Sequence, residues 1–541
     1  EKADKIDLGK IYHMGQPESA DLILSRQAMA AHTFITGSTG TGKSNAVYHL
    51  LDELTKDGNT TFLVAEPAKG EYKTVFGNGK AAVYGTNPRE TPLLRLNPFA
   101  FPAEIHVLEH IDRLVEIFSA CWPMYAAMPA VLKDAIERSY QNAGWDLRES
   151  ESERGVFPTF FDLLRVLPTV IEESHYSNDT QSDYVGALCT RVKSLTNGIY
   201  GSVFCAEDVL SDAELFDENV IVDLSRASAM ETKSLLMGIL VMKLQEYRMC
   251  SGVMNGKLRH VTVLEEAHNL LRKTSSEQSQ ESANVQGKSV EMLANAIAEM
   301  RTYGEGFIVA DQAPGLLDVS VIRNTNTKII LRLPDEEDRK LVGKSAGLKE
   351  AQIDALSKLP LGVAAVYQNE WPEAVLCKIE AYPMPENAVY HKPSKMPHEI
   401  NVEFVFGQLA VGKELKPLSS SEMEQLKLWL KRHETVLKPE DSRYLERVFA
   451  GGELDVAKIR KAVFDFFGGI STVVDYCAAA EKSFTPRKEF LEQLQGQYGL
   501  KAAAADWVLN SVISMGMSLN PDAEAVEDLR TNFEQQGGRV L

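Results

Sequence analysis

Residues 37–44 read Gly-Ser-Thr-Gly-Thr-Gly-Lys-Ser. The spacing G-x-x-x-x-G-K-[ST] is that of a phosphate-binding loop. It constrains the fold first, because such a loop works only where a buried strand ends and a helix begins. There its backbone N–H groups converge on a polyanion at the amino end of the helix. The flanks agree: His32-Thr33-Phe34-Ile35-Thr36 reads as a short strand, and from Asn45 to Leu54 the apolar spacing is that of an amphipathic helix. Gly37, Ser38, Thr39, Gly40, Thr41 and Gly42 form the cradle, and Lys43 reaches the β- and γ-phosphates. The Ser44 hydroxyl is placed to ligate Mg2+, and Asn45 completes the binding set. The loop predicts a bound nucleoside triphosphate.

From residue 31 to about 381 strand-like and helix-like stretches alternate. The strand-like runs are 33–36, 61–66, 81–84, 219–224, 260–265, 306–311, 328–333, 362–367 and 373–380. Several are continuously apolar, as strands covered on both faces are. The pattern predicts an α/β fold with a mainly parallel central sheet. Residues 1–30 read as a lead-in to it. The stretch from about 102 to 216 has no clear strand and reads as a helical insertion broken at Pro123, Gly144 and Gly155. Prolines 383, 385, 393 and 397 mark 382–398 as a linker or strap. Residues 399–541 read as mostly helical, as in 422–431 and 487–498, with Thr485 and Pro486 as cap and first-turn proline of the latter. Residues 486–516 have the length of a small helix-turn-helix. No basic recognition face stands out there, so a helical packing module is the favoured reading. Residues 272–288, RKTSSEQSQESANVQGK, are polar without apolar period and read as a mobile loop.

A phosphate-binding loop needs an acidic site opposite it. The strand His260-Val261-Thr262-Val263-Leu264 ends in Glu265-Glu266. The first acid is assigned to the magnesium side and the second to activating the attacking water, the general-base role. Glu265 is one methylene longer than the aspartate more usual at the first position. Gln312 follows the next strand and is placed to touch the γ-phosphate or the water. His268 has no second ligand near it in sequence and is read as a switch residue and not a metal ligand.

A net charge of −19 excludes a surface that binds nucleic acid everywhere, and confines any such contact to a local basic strip. It argues equally against a membrane-surface role. The longest strongly apolar run, 235–244, is far short of a bilayer span. Six scattered cysteines form no C-x-x-C pair and no zinc spacing, which fits reduced thiols and a cytoplasmic location. The chain begins at Glu1, which leaves room for a preceding segment.

Taken together, the motifs resemble those of the HerA family within the HerA/FtsK branch of ring-forming P-loop ATPases. The resemblance rests on GSTGTGKS at 37–44, Glu66-Pro-Ala-Lys-Gly-Glu-Tyr72, Leu94-Arg-Leu-Asn-Pro-Phe99, Leu264-Glu-Glu-Ala-His-Asn-Leu270, Arg301-Thr-Tyr-Gly304, Asp311-Gln-Ala-Pro314 and Asn326-Thr-Lys-Ile-Ile-Leu-Arg-Leu333. It covers about 7–380 and leaves the C-terminal region unmatched. It implies a RecA-like core, ATP with Mg2+, and a homohexamer with ATP at subunit interfaces. It also implies an arginine completing the site, for which Arg301 and Arg332 are the candidates.

Three features depart from the family pattern. Glu265 stands where Asp is usual, Gly315 where Ser is usual, and the family's N-terminal β-barrel is absent from these residues. The resemblance implies a DNA translocase or helicase threading DNA through the ring. Arg272, Lys273 and Lys288 of the polar segment would then be lumen contacts. A partner nuclease or sirtuin-like effector, as in phage-defence complexes, is the implied partner class. A nucleotide-dependent ring scaffold that gates an effector is the alternative. A conjugative DNA pump is a third reading, weakened by the lack of a membrane span.

Overall fold

In the computed structural model the described residues are 4–540, except 126, 153–155, 207–208, 275–279, 385–387, most of 394–438, and positions 451, 454, 484 and 499–501. An eleven-stranded sheet dominates the structure, in the order β2-β1-β13-β12-β11-β3-β10-β9-β4-β8-β5. Its strands are β1 (Lys5–His13), β2 (Gln16–Ser25), β3 (Thr33–Thr36), β4 (Thr61–Glu66), β5 (Ala82–Gly85), β8 (Val220–Asp223), β9 (His260–Glu265), β10 (Glu305–Asp311), β11 (Thr327–Ile330), β12 (Val363–Gln368) and β13 (Val375–Ile379). From β11 to β5 every neighbouring pair is parallel, and from β11 to β2 every pair is antiparallel. The fold is therefore an α/β sheet, mainly parallel, with an antiparallel wing.

The parallel strands read as apolar because both faces are covered. On β4, Leu63 and Ala65 join one core, and Phe62 and Val64 join the other. The Lys43–Thr55 helix packs Ala46, Val47, Leu50, Leu51 and Leu54 on the second face. The first face is covered by the Met230–Met249 helix and by helices of the 102–216 stretch, among them Val107–Cys121, Met128–Asn142 and Phe160–Glu173. Their apolar residues belong to the same cluster as the sheet's.

The structure differs from the sequence reading at several places. Residues 1–30 contain β1 and β2, two strands of the main sheet. Register shifts between Asp7 and Gly9 and between Lys10 and Tyr12 interrupt the alternation in β1. The outer strand β2 is exposed and polar over its first half, so its strand character carries no apolar signal. A two-residue pair, β6 (Trp145–Asp146) with β7 (Glu151–Ser152), sits inside the stretch read as strandless. The polar segment 272–288 is not all loop: Gln280–Glu299 is one helix. Among the described residues its buried apolar side chains, Val290, Leu293, Ala294 and Ile297, lie in its second half, and the sequence of the first half is polar.

Beyond β13 the chain straps along the core. Tyr382 is buried against Phe76 and Tyr48, Asn78 donates to the Val389 carbonyl at 2.9 Å, and the His391 N–H donates back to Asn78. The expected helix at 422–431 lies largely outside the described residues. The C-terminal helices Pro439–Phe449, Val456–Phe466, Gly469–Lys482, Pro486–Tyr498, Ala502–Leu519 and Ala523–Gln535 enclose an apolar core of their own. Ala502–Leu519 is its central helix, with Val508, Leu509, Val512 and Ile513 buried. That placement rules it out as the exposed second helix of a helix-turn-helix. Among the described residues no single helix is long and apolar enough to cross a membrane. None of the six cysteines is in a disulfide.

Candidate active site

The parallel strands end along one edge, and side chains with chemistry collect there. The 37–44 loop leaves β3, which lies between β11 and β10, with β9 one strand further. Backbone bonds brace the loop. The Ser38 N–H donates to the Arg332 carbonyl at 3.0 Å, and the Thr41 hydroxyl to the Ser38 carbonyl at 2.7 Å. Gly40 and Gly42 have φ of 76° and 104°, which a side chain adopts only with strain. A Cβ on Gly40 would meet nothing within 4 Å, so the loop's apex is open to the close approach of a phosphate. Gly37 has no such room: a Cβ there would lie 2.8 Å from that of Leu331.

Lys43 opens the helix and is 8% exposed. Its Nζ lies 2.6 Å from Glu265 Oε2 and 3.5 Å from Glu266 Oε1. Burial pulls its pKa down, and the two carboxylates more than offset this, leaving it raised. The other Glu265 oxygen accepts the Tyr72 hydroxyl at 2.5 Å. Glu266 sits just past the strand in a left-handed conformation, φ 46° and ψ 52°. Such backbone strain concentrates at functional sites. Its Oε1 accepts Gln312 Nε2 at 2.6 Å, and Gln312 Oε1 accepts the Thr39 hydroxyl at 2.7 Å. Phosphate loop, acidic pair and neighbouring strand tip thus form one hydrogen-bonded chain. Half-buried Ser44 lies beside Lys43 in the first turn. A serine hydroxyl and a carboxylate are hard oxygen donors of the kind Mg2+ takes, so this donor set fits the ion.

Three functional candidates were missed by sequence reasoning. Asp311 ends β10 fully buried, and its Oδ2 accepts both the backbone N–H and Nδ1 of His268 at 2.9 Å. His268 Nδ1 is also 3.7 Å from Glu266 Oε2. The hydrogen bond to Asp311 raises the His268 pKa, against burial. His268, read as no metal ligand, thus gains Asp311 in space beside its sequence neighbour Glu266, and the ligand atoms of all three lie within 4.8 Å of one another. Glu66 ends β4, 3% exposed, and accepts the N–H groups of Glu71 and Tyr72 at 2.8 and 3.1 Å. Burial pushes its pKa up to about 7. Tyr72 is the third. The signal available for the two acids was position, since acids closing parallel strands line one edge; Tyr72, which opens the Tyr72–Phe76 helix, carried no such signal.

The remaining expected residues divide. Arg332 follows β11 beside the loop, half-buried, with its carbonyl pinning Ser38. Arg301 is exposed in the Met300–Tyr303 turn at the amino end of β10, while Gln312 lies at the carboxyl end. Seven residues of strand, roughly 20 Å, separate them, so Arg301 does not reach this chain's own phosphate loop. The Asn45 side chain is also corrected: it donates to the Glu380 carbonyl at 3.0 Å and accepts the Tyr382 N–H at 2.8 Å. Both its groups anchor the chain after β13, and neither faces the phosphates. Arg272 and Lys273 are exposed where Arg272 bridges Leu317, and Lys288 is exposed on the Gln280–Glu299 helix.

Comparison with known proteins agrees with this geometry. The family model for the central domain of helicase HerA matches residues 6–244. The DNA double-strand break repair helicase HerA of Sulfolobus acidocaldarius is 26% identical over 366 residues, 65% of this chain and 66% of the relative. Its namesake in Sulfurisphaera tokodaii is 24% identical over 363 residues, 66% of each chain. The chain thus spans just under two thirds of the length of these curated relatives. VirB4 of Thermoanaerobacter pseudethanolicus superposes with a TM-score of 0.52 at 19% identity, covering 70% of this chain and 97% of that one, a likeness of fold. On its motif order, its loop geometry and these matches, the chain carries a P-loop ATPase core similar to that of the HerA helicases.

Proposed function

We propose that the chain hydrolyses ATP and uses it to translocate DNA through a homohexameric ring. The observation that carries this reading is the chain Thr39–Gln312–Glu266, closed onto Glu265 through Lys43. Lys43 and the loop amides hold the phosphates, and Ser44 with Glu265 hold Mg2+. Held by those two side chains, Mg2+ would neutralise charge developing on the phosphate oxygens. Glu266 takes the proton of the attacking water. Gln312, bonded to both the loop and the base, reports the state of the nucleotide to β10 and its neighbours.

The DNA-handling part rests on the similarity to HerA helicases. With a net charge of −19 the contacts must be local, and exposed Arg272, Lys273 and Lys288 flank the segment that leaves the acidic pair. A partner nuclease or sirtuin-like effector belongs to the same reading. The C-terminal helices, with a separate apolar core, favour a second one. In it the ring assembles and gates an effector with little translocation, and these helices dock the partner.

A displacement assay separates the readings. ATP-dependent, directional removal of a protein roadblock from DNA, lost in Lys43→Ala, supports translocation. ATP-controlled activity of a co-purifying effector without displacement supports the scaffold. A native mass short of six copies would sink the hexamer.

A further inference from the structure

The residue that departs most clearly from the family pattern is Glu265, and the structure shows what accommodates it. A glutamate at the strand end projects its carboxylate about 1.5 Å further than an aspartate would. Both oxygens of this one are held: Oε2 by Lys43 at 2.6 Å and Oε1 by the Tyr72 hydroxyl at 2.5 Å. Tyr72 is 2% exposed and Glu265 5%, so the bond is shielded from competing water.

The tyrosine is itself fixed from three sides. Its ring meets Tyr48 edge-on with centroids 4.9 Å apart. Its backbone N–H donates to Glu66 Oε2 at 3.1 Å, and the preceding N–H, of Glu71, donates to Oε1 at 2.8 Å. The turn between β4 and the Tyr72–Phe76 helix is thereby tied to the acid that closes β4, next to β9. An aspartate at position 265 would draw back from both Lys43 and Tyr72.

We propose that Tyr72 is the positioning residue for Glu265, and that the turn held by Glu66 is what lets a glutamate serve on the metal side of this site. This rests on the reading that the site binds ATP with a divalent cation. The hydroxyl orients one carboxylate oxygen while the other is shared with Lys43. When Lys43 turns to phosphate, the carboxylate keeps one fixed bond and stays aimed at the metal position.

The test uses the full chain, a non-hydrolysable ATP analogue, and Mn2+ as a spectroscopic stand-in for Mg2+, with bound Mn2+ read by electron paramagnetic resonance. Tyr72→Phe keeps the ring packing and loses only the hydroxyl. It is expected to weaken Mn2+ binding about tenfold, the scale of one hydrogen bond to a carboxylate, with analogue affinity in the absence of metal unchanged. Glu265→Asp is expected to do the same, and adding Tyr72→Phe to it to cost nothing further. Wild-type Mn2+ affinity in Tyr72→Phe overturns the proposal, as does an equal loss on the Glu265→Asp background. Should Tyr72→Phe unfold, Glu265→Asp alone decides, and unchanged Mn2+ binding in it overturns the proposal. An absence of ATP turnover in the wild type would instead sink the hydrolysis reading and leave the Mn2+ comparison standing.

Discussion

Gln312 donates to the Glu266 carboxylate at 2.6 Å while its own carbonyl oxygen accepts the Thr39 hydroxyl at 2.7 Å. The amide joins the apex of the phosphate loop to the proposed general base. Since Ala310 is in register with Glu265 on β9, and Asp311 with Thr36 on β3, Gln312 comes from the strand lying between loop and base. A ligand that draws Thr39 toward phosphate changes what Gln312 offers to Glu266.

Removing that amide separates the two ends. Gln312→Ala is expected to lower ATP turnover at least about tenfold with nucleotide affinity within about threefold of wild type, since the phosphates are held elsewhere. Glu266→Gln is expected to lose about 100-fold or more in turnover, with binding intact. Steady-state hydrolysis and equilibrium titration of a fluorescent nucleotide check both. A Gln312→Ala protein with normal turnover would remove the amide from the mechanism.

Lys43 also serves stability. Its ammonium faces Glu265 and Glu266, and Lys43 and Glu265 are both more than nine-tenths buried. Removing one partner of such a pair leaves an uncompensated charge. Lys43→Ala is expected to destabilise the protein by about 2–3 kcal/mol in urea unfolding, beyond its loss of nucleotide binding. Adding Glu265→Gln should restore more than half of the loss. A Lys43→Ala chain as stable as wild type would show that water enters and screens the pair.

How much of this was legible beforehand follows from what each signal depends on. The central strands β3, β4, β8, β9 and β10 were readable because burial on both faces makes them apolar runs, and β5 and β13 by shorter apolar runs, whereas β1 and β2, polar and bulged at an edge, carry no such run. Lys43, Glu265, Glu266 and Gln312 were readable because each has a fixed place after an apolar strand. Asp311, Glu66 and Tyr72 were not, nor was the pairing of His268 with Asp311, since these arise only when sheet order sets β10 beside β9 and β9 beside β4. Asn45 was misread for the same reason: its partners, at 380 and 382, are distant in sequence and close in space.

Glu66 makes stability depend on pH in a direction opposite to most carboxylates. Burial raises its pKa from the ordinary 4.5 to about 7. Between those values the folded protein keeps a proton that the unfolded chain has released. Its contribution is therefore fully present below about pH 4.5 and is lost as pH rises through 7. Over that window the loss is of order 3 kcal/mol. Glu66→Gln is expected to remove this slope, with urea midpoints above pH 7 at or above those of the wild type. Parallel pH profiles for the two proteins would place the titration on another group.

The two arginines call for different experiments because they lie at opposite edges of the sheet. Arg332 follows β11 beside the phosphate loop, and its carbonyl already holds Ser38, a bond that Arg332→Ala keeps. Arg301 lies across the length of β10 from the site, so any action on phosphate must be on a neighbouring copy's nucleotide. Each alanine variant is expected to lose hydrolysis at least about 100-fold while binding nucleotide normally. Mixing then distinguishes them. In the proposed ring, Arg301→Ala and Lys43→Ala chains assembled together would form interfaces in which an intact loop meets an intact Arg301, so part of the activity should return. An arginine acting within its own chain gives no such return, because every chain with an intact loop then lacks it. If both single variants turn over ATP normally, neither arginine completes the site. If Arg301→Ala is inactive and mixing restores nothing, Arg301 has a structural role at its own edge, beside His32, whose pKa burial lowers to about 4 with Arg301 adding to the shift.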